Sequence, residues 1–546
     1  MKIKTKSKLL IAILTLATIM GFFTFAIGTT RADSEVIYVD PPFSPETDTE
    51  NIKDALQNAP PGSTVILREG VYCLIRPIVV ADFDGIFKGQ GKGKTIIKNF
   101  FADGHPFPAE PSLWGAPTFF SFYLVGEGTE PDSPANIEIA DMTIKAIGYT
   151  DLWYHVPSGD PDRSFIPIEI GTFGEYYYNA KFSGIEILGQ WGQHPSLEYT
   201  NILIGLLVVS DHLSDGLNSG EFIISDCYIE NAFTPFEIAD IRNSYIEISQ
   251  NTFTNCVYNG GLIQFTQNTD LKFTQNKITT SQLAGLVLRF NNHSNAEISR
   301  NTLLNSPGFY LRNNDACSFL IEHNDIIMPI DSYLAGIEVW DEMKSDFVIS
   351  HNKIHSENSL YWGPIWMVGV KDAVITNNKI TGSGPAAMYI GLGSWTTDLV
   401  IIGNNLKNFQ VTGYVGQYGT FPEVARIWLG VGTRECLVVG GHSKENVLDE
   451  DDFDPNILDE NGNLIYKGWG FASQYAGGLA AYVREWQTIV YNNQLYFYYI
   501  PRVENGLPVT VLKNNILIGV IKIQGPIIGQ EIKEAMEQKK DLMNFY

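Results

Sequence analysis

The sequence predicts an all-β solenoid, a coil of strands growing along one axis, on three observations: a recurring motif, its spacing, and the polar residue at its centre. In Phe347-Val348-Ile349-Ser350-His351-Asn352-Lys353-Ile354 an Asn sits between apolar flanks. The same Asn position returns at Asn251, Asn276, Asn301, Asn324, Asn352, Asn378 and Asn404, with Cys227 in that slot one repeat earlier. The intervals are 24, 25, 25, 23, 28, 26 and 26 residues, which suits a coil that bonds only to its neighbours. Stacked Asn side chains can hydrogen-bond from coil to coil inside a bend that a β-branched residue could not easily make.

The repeat resembles the right-handed parallel β-helix of the pectin-lyase-like superfamily. The stretch Asn51-Ile52-Lys53-Asp54-Ala55-Leu56 through Val65-Ile66-Leu67 to Tyr72 is similar to that superfamily's capping helix and first strand, and Ile86-Phe87-Lys88-Gly89-Gln90-Gly91 through Ile97 to its first full coil. The likeness runs from about Val36 to about His442. It implies a right-handed parallel β-helix with an N-terminal capping helix, and it implies no particular reaction, because function resides in sites grafted onto folds. Of the ordered galacturonase motifs only Ser214-Asp215-Gly216 and Arg426-Ile427-Trp428 have echoes; Gly440-Gly441-His442 follows Arg426 instead of preceding it, and Asp451-Asp452 falls in a late loop. Pectin methylesterase and alginate epimerase motifs are absent.

In chain order, residues 1–32 read as an export signal. Lys2, Lys4, Lys6 and Lys8 precede an uncharged run from Leu9 to Thr30, and Thr30-Arg31-Ala32 offers small residues where a signal peptidase reads. An uncleaved anchor is the competing reading, since the run is close to the ~20 residues that span a bilayer. Cleavage would remove five basic residues and no acidic ones, moving the formal charge from −24 to −29. Nucleic acid and anionic membrane surfaces are then poor partners, because phosphate binding needs a basic face. A secreted monomer is expected, or a cell-surface protein if the segment stays.

Residues 33–445 are expected to form the β-helix domain. Between Phe101 and Gly220 the prolines and Trp114, Trp153 and Trp191 suggest long loops thrown out between coils at Ile137-Ile139, Ile185-Ile187 and Ile202-Val209. Residues 446–546 are expected to be an acidic loop followed by a small strand-rich cap ending in a helix over Gln530–Met543. The acidic stretch Asp449-Glu450-Asp451-Asp452-Phe453-Asp454 with Asp459-Glu460 reads as a solvated loop, with a calcium site as the alternative, since hard cations want oxygen clusters. Five scattered cysteines without CxxC spacing indicate neither a zinc site nor a disulfide scaffold.

Gly285, Gly308 and Gly336 each lie 16 residues before Asn301, Asn324 and Asn352, so three strands align without gaps. In Gly336-Ile337-Glu338-Val339-Trp340, alternation puts Ile337 and Val339 inside and Glu338 and Trp340 outside. The same count turns Arg289, Tyr310 and Arg312 outward, then Glu237, with Trp366 and Tyr389 continuing the column and Asp240 and Asp341 at the strand's far edge. Such a column suits an elongated acidic polysaccharide: Arg pairs with carboxylates, and aromatic rings stack on sugar faces. Substrate binding is assigned to Arg289, Tyr310, Trp340, Trp366 and Tyr389, and any catalysis to Arg312, Glu338, Asp341, Glu237 and Asp240. In a lyase an Arg would neutralise a uronate carboxylate and an Arg or Lys would remove the α-proton; in a glycoside hydrolase the carboxylate pairs Glu237/Asp240 and Glu338/Asp341 would act as acid and base. The alternative is a non-catalytic cell-surface or adhesive solenoid whose aromatics bind glycan or pack loops.

Overall fold

In the computed structural model, strands of successive coils pair in parallel to build a right-handed β-solenoid of about 11 turns. It describes residues 35–412 except 100–117, 126–132, 148–164, 174–175, 195–196, 211–218, 341–344, 360–362, 371–372, 392–395 and 398, and beyond 412 chiefly the backbone of strands. Residues 1–34 and the stretch 530–543 lie outside the described residues, so the expected export signal and terminal helix do too. Among the described residues no helix is long and apolar enough to cross a membrane.

The helix Pro45–Gln57 starts with Ser44 as its N-cap, whose hydroxyl accepts from the Thr47 amide, and with Pro45 in the first turn, where a missing N–H costs nothing. Ile52 and Leu56 on one face join the core. Buried Asp48 ties the helix to the first coil by accepting from the Phe43 and Cys73 amides at 2.8 and 3.0 Å.

A 13-stranded parallel sheet, the outer sheet, runs from Ile78–Ala81 to Val447–Asp449. A second, 24-stranded assembly bends at the Asn position in the coils that carry it. The residue before each Asn takes left-handed backbone, at Gln250, Gln275, Arg300, His323, His351 and Asn377 with φ of 56° to 60° and at Gly403 with φ 66°. That turn aims the Asn side chain inward. Asn301 donates from Nδ2 to Phe273 O at 2.8 Å and to Asn324 Oδ1 at 3.0 Å, while Asn324 Oδ1 also accepts the Asn301 amide at 3.0 Å. The same bonding repeats from Asn251 to Asn404. Cys227 continues the row by donating its amide to Asn251 Oδ1 at 2.8 Å, and its buried thiol is pushed up to about 12 by desolvation.

Within the outer sheet, Ile238, Ile263, Leu288, Leu311, Val339, Met367 and Ile390 pair in register and fill the interior. The glycines that open these strands sit where coils approach closely: a Cβ on Gly308 would run into the carbonyl oxygen of Gly336. Beyond the coils, Arg484–Tyr491, Gln494–Pro501, Leu507–Lys513 and Ile516–Ile523 form a four-stranded antiparallel sheet.

Candidate functional site on the outer sheet

The side chains that alternation turns outward from the outer sheet form two rows, where the sequence suggested one column. The first contains Glu169, Leu207, Glu237, Leu262, Val287, Tyr310, Glu338, Trp366 and Tyr389. The second, two residues further along each strand, contains Ala239, Gln264, Arg289, Arg312, Trp340 and Val368. The pleat separates them: residues i and i+2 share a face but stand side by side along the strand.

Outward is not the same as exposed. Trp366 is 0% exposed and packs with Val368, Ala386, Tyr389 and Ala335 under Trp340, whose ring meets it edge-on at 4.3 Å. Trp366 and Tyr389, expected to stack on sugar, instead bury each other, because the last coils carry apolar residues on this face and the segments entering each strand fold over them. Trp340 is half-buried by the same contact. Asp341 lies outside the described residues.

The two glutamates are covered as well. Glu338 is 5% exposed; Oε1 accepts from Trp340 Nε1 at 2.8 Å and Oε2 from the Ala335 amide at 3.3 Å. Burial raises its pKa, opposed by those two hydrogen bonds and by Arg312. Buried Glu237 accepts from Gln264 Nε2 at 2.6 Å, and Gln264 Oε1 in turn accepts from Arg289 Nε at 2.7 Å. Burial pushes Glu237 up to about 7, with Gln264 and Arg289 pulling the other way and Asp240 adding to the rise. Asp240 itself takes left-handed backbone within the strand Ala232–Arg242, φ 59°.

Over the first row, between the segments that enter the strands and the arginines of the second row, lies a pocket of about 280 Å³. Leu262, Val287 and Ala284 form an apolar floor, Tyr258 and Tyr310 supply rings, and Arg289, Arg312 and Glu338 supply charge. Arg289 and Arg312 face each other in register on adjacent strands. Arg312 Nη1 donates to the Tyr310 hydroxyl at 3.3 Å, and neither guanidinium forms an ion pair with a carboxylate among the described residues. Thus Arg289, Tyr310, Arg312 and Glu338 come together, whereas Glu237, Trp366 and Tyr389 do not line the pocket.

Gln264 and Tyr258 escaped the sequence reading. Gly260 stands 16 residues before Asn276, and the same count from it turns Leu262 and Gln264 outward. Glu169, buried and accepting from Ser121 Oγ and Tyr123 OH at 3.2 and 2.8 Å, lies where the repeat is irregular and no count reaches it. Among the described residues no group of three or more His, Cys, Asp or Glu side chains is placed to hold a metal ion. The acidic stretch considered for calcium lies outside the described side chains.

Several solved structures are similar to the chain at low identity. DFA-IIIase from Arthrobacter chlorophenolicus A6 without its lid is 12% identical, with a TM-score of 0.46, covering 74% of this chain and 99% of that one. The catalytic unit of a thermostable GH87 α-1,3-glucanase from Streptomyces thermodiastaticus strain HF3-3 is 14% identical, with a TM-score of 0.39, covering 75% and 70%. A double mutant of the periplasmic alginate epimerase AlgG is 13% identical, with a TM-score of 0.35, covering 77% and 82%. No curated protein matches the chain in sequence. Residues 284–427, which contain most of the pocket, match the model of the family described as the right handed beta helix region.

Proposed function

We propose that the protein is a carbohydrate-active solenoid that seats an acidic polysaccharide on its outer sheet, with a uronate carboxylate held by Arg289 and Arg312. One observation carries this reading: two arginines meet in register at the rim of a pocket with an apolar floor, and neither is neutralised by a described carboxylate. Like charges one strand spacing apart, roughly 4.8 Å at the backbone, repel, and an anionic ligand removes that repulsion. A guanidinium binds a carboxylate through two parallel hydrogen bonds, while Tyr258 and Tyr310 offer rings to sugar faces.

For cleavage, β-elimination suits these residues better than two-carboxylate hydrolysis. Glu237 and Glu338 stand four strand steps apart, about 19 Å, too far to act together within the ~5 to 9.5 Å that a glycosidase pair requires; of the pairs read from the sequence, neither Glu237 nor Asp240 lines the pocket, and Asp341 lies outside the described residues. Elimination needs a neutralised uronate carboxylate, which the arginines supply; a base that takes the C5 proton as the C4=C5 double bond forms and the C4–O bond breaks, for which the Tyr310 hydroxyl held by Arg312 is placed; and a proton for the leaving oxygen, which Glu338, its pKa raised by burial, is suited to donate. A binding-only solenoid is the second reading, favoured by Glu338 having both oxygens engaged within the protein. Export with cleavage after Ala32 belongs to either reading, and an intact mass lacking residues 1–32 would support it.

The test is a panel of purified uronate-bearing and neutral polysaccharides, read by calorimetric binding, reducing ends and absorbance of unsaturated products. Binding confined to uronate chains is expected. Unsaturated products would select elimination, and binding without any product the second reading. Failure of every acidic chain to bind would remove the pocket as a glycan site.

A further inference from the structure

Outer-sheet strands of the central coils carry a left-handed residue directly after the second row of outward side chains, inside Ala232–Arg242 and Leu262–Gln267 and just past the ends of Leu286–Arg289 and Phe309–Arg312. The register that pairs Ala239 with Gln264, Gln264 with Arg289 and Arg289 with Arg312 sets the next residues, Asp240, Phe265, Phe290 and Asn313, in one row. Their φ angles are 59°, 55°, 58° and 56°, and Gly369 holds the same place two coils further on with φ 65°. Asp, Asn and Gly tolerate this backbone; a bulky aromatic residue does so only against steric resistance. The row therefore carries two phenylalanines where its other described members are residues suited to the turn.

Neither ring is used in the core. Phe265 is 42% exposed and Phe290 41%, and they stack on each other with centroids 5.1 Å apart and planes 6° from parallel. Strained backbone and exposed aromatic surface together, on two consecutive coils, mark a feature kept for contact with something outside the fold. The stack is continuous with the pocket: the Arg289 guanidinium lies 5.9 Å from the Phe290 centroid and also lines the pocket. Its surroundings are polar, with Asp240 on one side and exposed Arg312 and Asn313 on the other. An apolar area only two rings wide inside a polar rim is small for a protein interface, which needs roughly 800 Å² on each partner, and is of a size to meet a sugar ring.

We propose that Phe265 and Phe290 form a second glycan subsite, stacking on the C–H face of the sugar next to the one whose carboxylate Arg289 and Arg312 hold. This rests on the reading of the pocket given above. Arg289, fixed by Gln264, joins the two subsites, and the exposed Asn313 amide is within the rim for sugar hydroxyls. The bound chain then runs along the strand direction, from the pocket past Arg289 to the phenylalanines.

The variants Phe265→Asn and Phe290→Asn, singly and together, remove the rings while installing a residue that accepts the left-handed backbone. Calorimetric titration with dimers and hexamers of galacturonate, of mannuronate and of neutral cello-oligosaccharide is the readout, beside thermal melts. For the acidic series that wild type binds, the double variant should lose roughly tenfold in hexamer affinity and little for the dimer, with a Tm equal to or above wild type. Phe290→Tyr should bind like wild type. Unchanged hexamer affinity in the double variant would overturn the subsite while leaving the pocket intact, and a marked drop in Tm would make the stack a structural element instead. Wild-type protein that binds none of the three series would defeat the pocket reading and this one together.

Discussion

Arg289 and Arg312 occupy directly opposed positions on adjacent parallel strands, yet only Arg289 is restrained from behind, through Gln264 to the buried carboxyl of Glu237. Arg312 reaches toward the Tyr310 hydroxyl and is exposed to solvent. The two guanidiniums therefore have different roles in holding an anion: one is prepositioned, and the other adapts.

Arg312→Ala should weaken binding of uronate chains by roughly 1 to 3 kcal/mol, the range for a charge-assisted hydrogen bond, and leave neutral chains nearly unaffected. Arg289→Ala should cost at least as much, because it also frees Gln264. Calorimetry at two salt concentrations checks this, since an electrostatic contribution at an exposed guanidinium shrinks as salt rises. Equal losses for charged and neutral chains would contradict the assignment.

Glu237 titrates in the fold near 7, above the usual 4.5. For a carboxyl whose folded pKa is raised, the stabilisation is complete below the unfolded pKa and is lost as pH rises through the folded one. The window is therefore about pH 4.5 to 7, and the gap corresponds to roughly 3 kcal/mol. Glu237→Gln keeps an oxygen for Gln264 to donate to and removes the titration. Its stability relative to wild type should rise across that window and level off above it. Denaturant midpoints measured from pH 4 to pH 8.5 decide the matter, and parallel curves for the two proteins would contradict it.

Asn324→Leu should destabilise by roughly 2 to 5 kcal/mol, since unmet buried polar groups cost about 1 to 3 kcal/mol each. The Asn324 side chain donates to Ile298 O and Asn352 Oδ1, both at 2.9 Å, and accepts the amide and side chain of Asn301. Leucine leaves the Asn301 amide without its acceptor inside the coil. A Tm unmoved by the substitution would show that these bonds contribute little.

Trp340→Ala should act on stability more than on binding, because the indole covers Trp366 and donates to Glu338. A loss of roughly 2 to 4 kcal/mol fits truncation of a half-buried aromatic side chain. Trp340→Phe keeps a ring over Trp366 but removes the donor, so Glu338 should titrate higher still. Comparing the pH dependence of stability in the two variants separates packing from hydrogen bonding.

Much of this protein was legible without coordinates, because a solenoid is local. The recurrence of Asn251 through Asn404 determined the coil length and the bend, and the Gly-to-Asn count determined which side chains of Gly336–Trp340 turn outward, since alternation along a strand needs no knowledge of distant contacts. Tertiary structure alone decided what became of those outward residues. Whether Trp366 meets solvent depends on Ala335, Ala386 and Trp340 folding over it, and whether Glu237 is an accessible carboxylate depends on Gln264 and Arg289 arching across from the next two coils. Exposure is set by neighbours along the solenoid axis and by the segments that enter each strand. Periodicity within one coil carries no information about either.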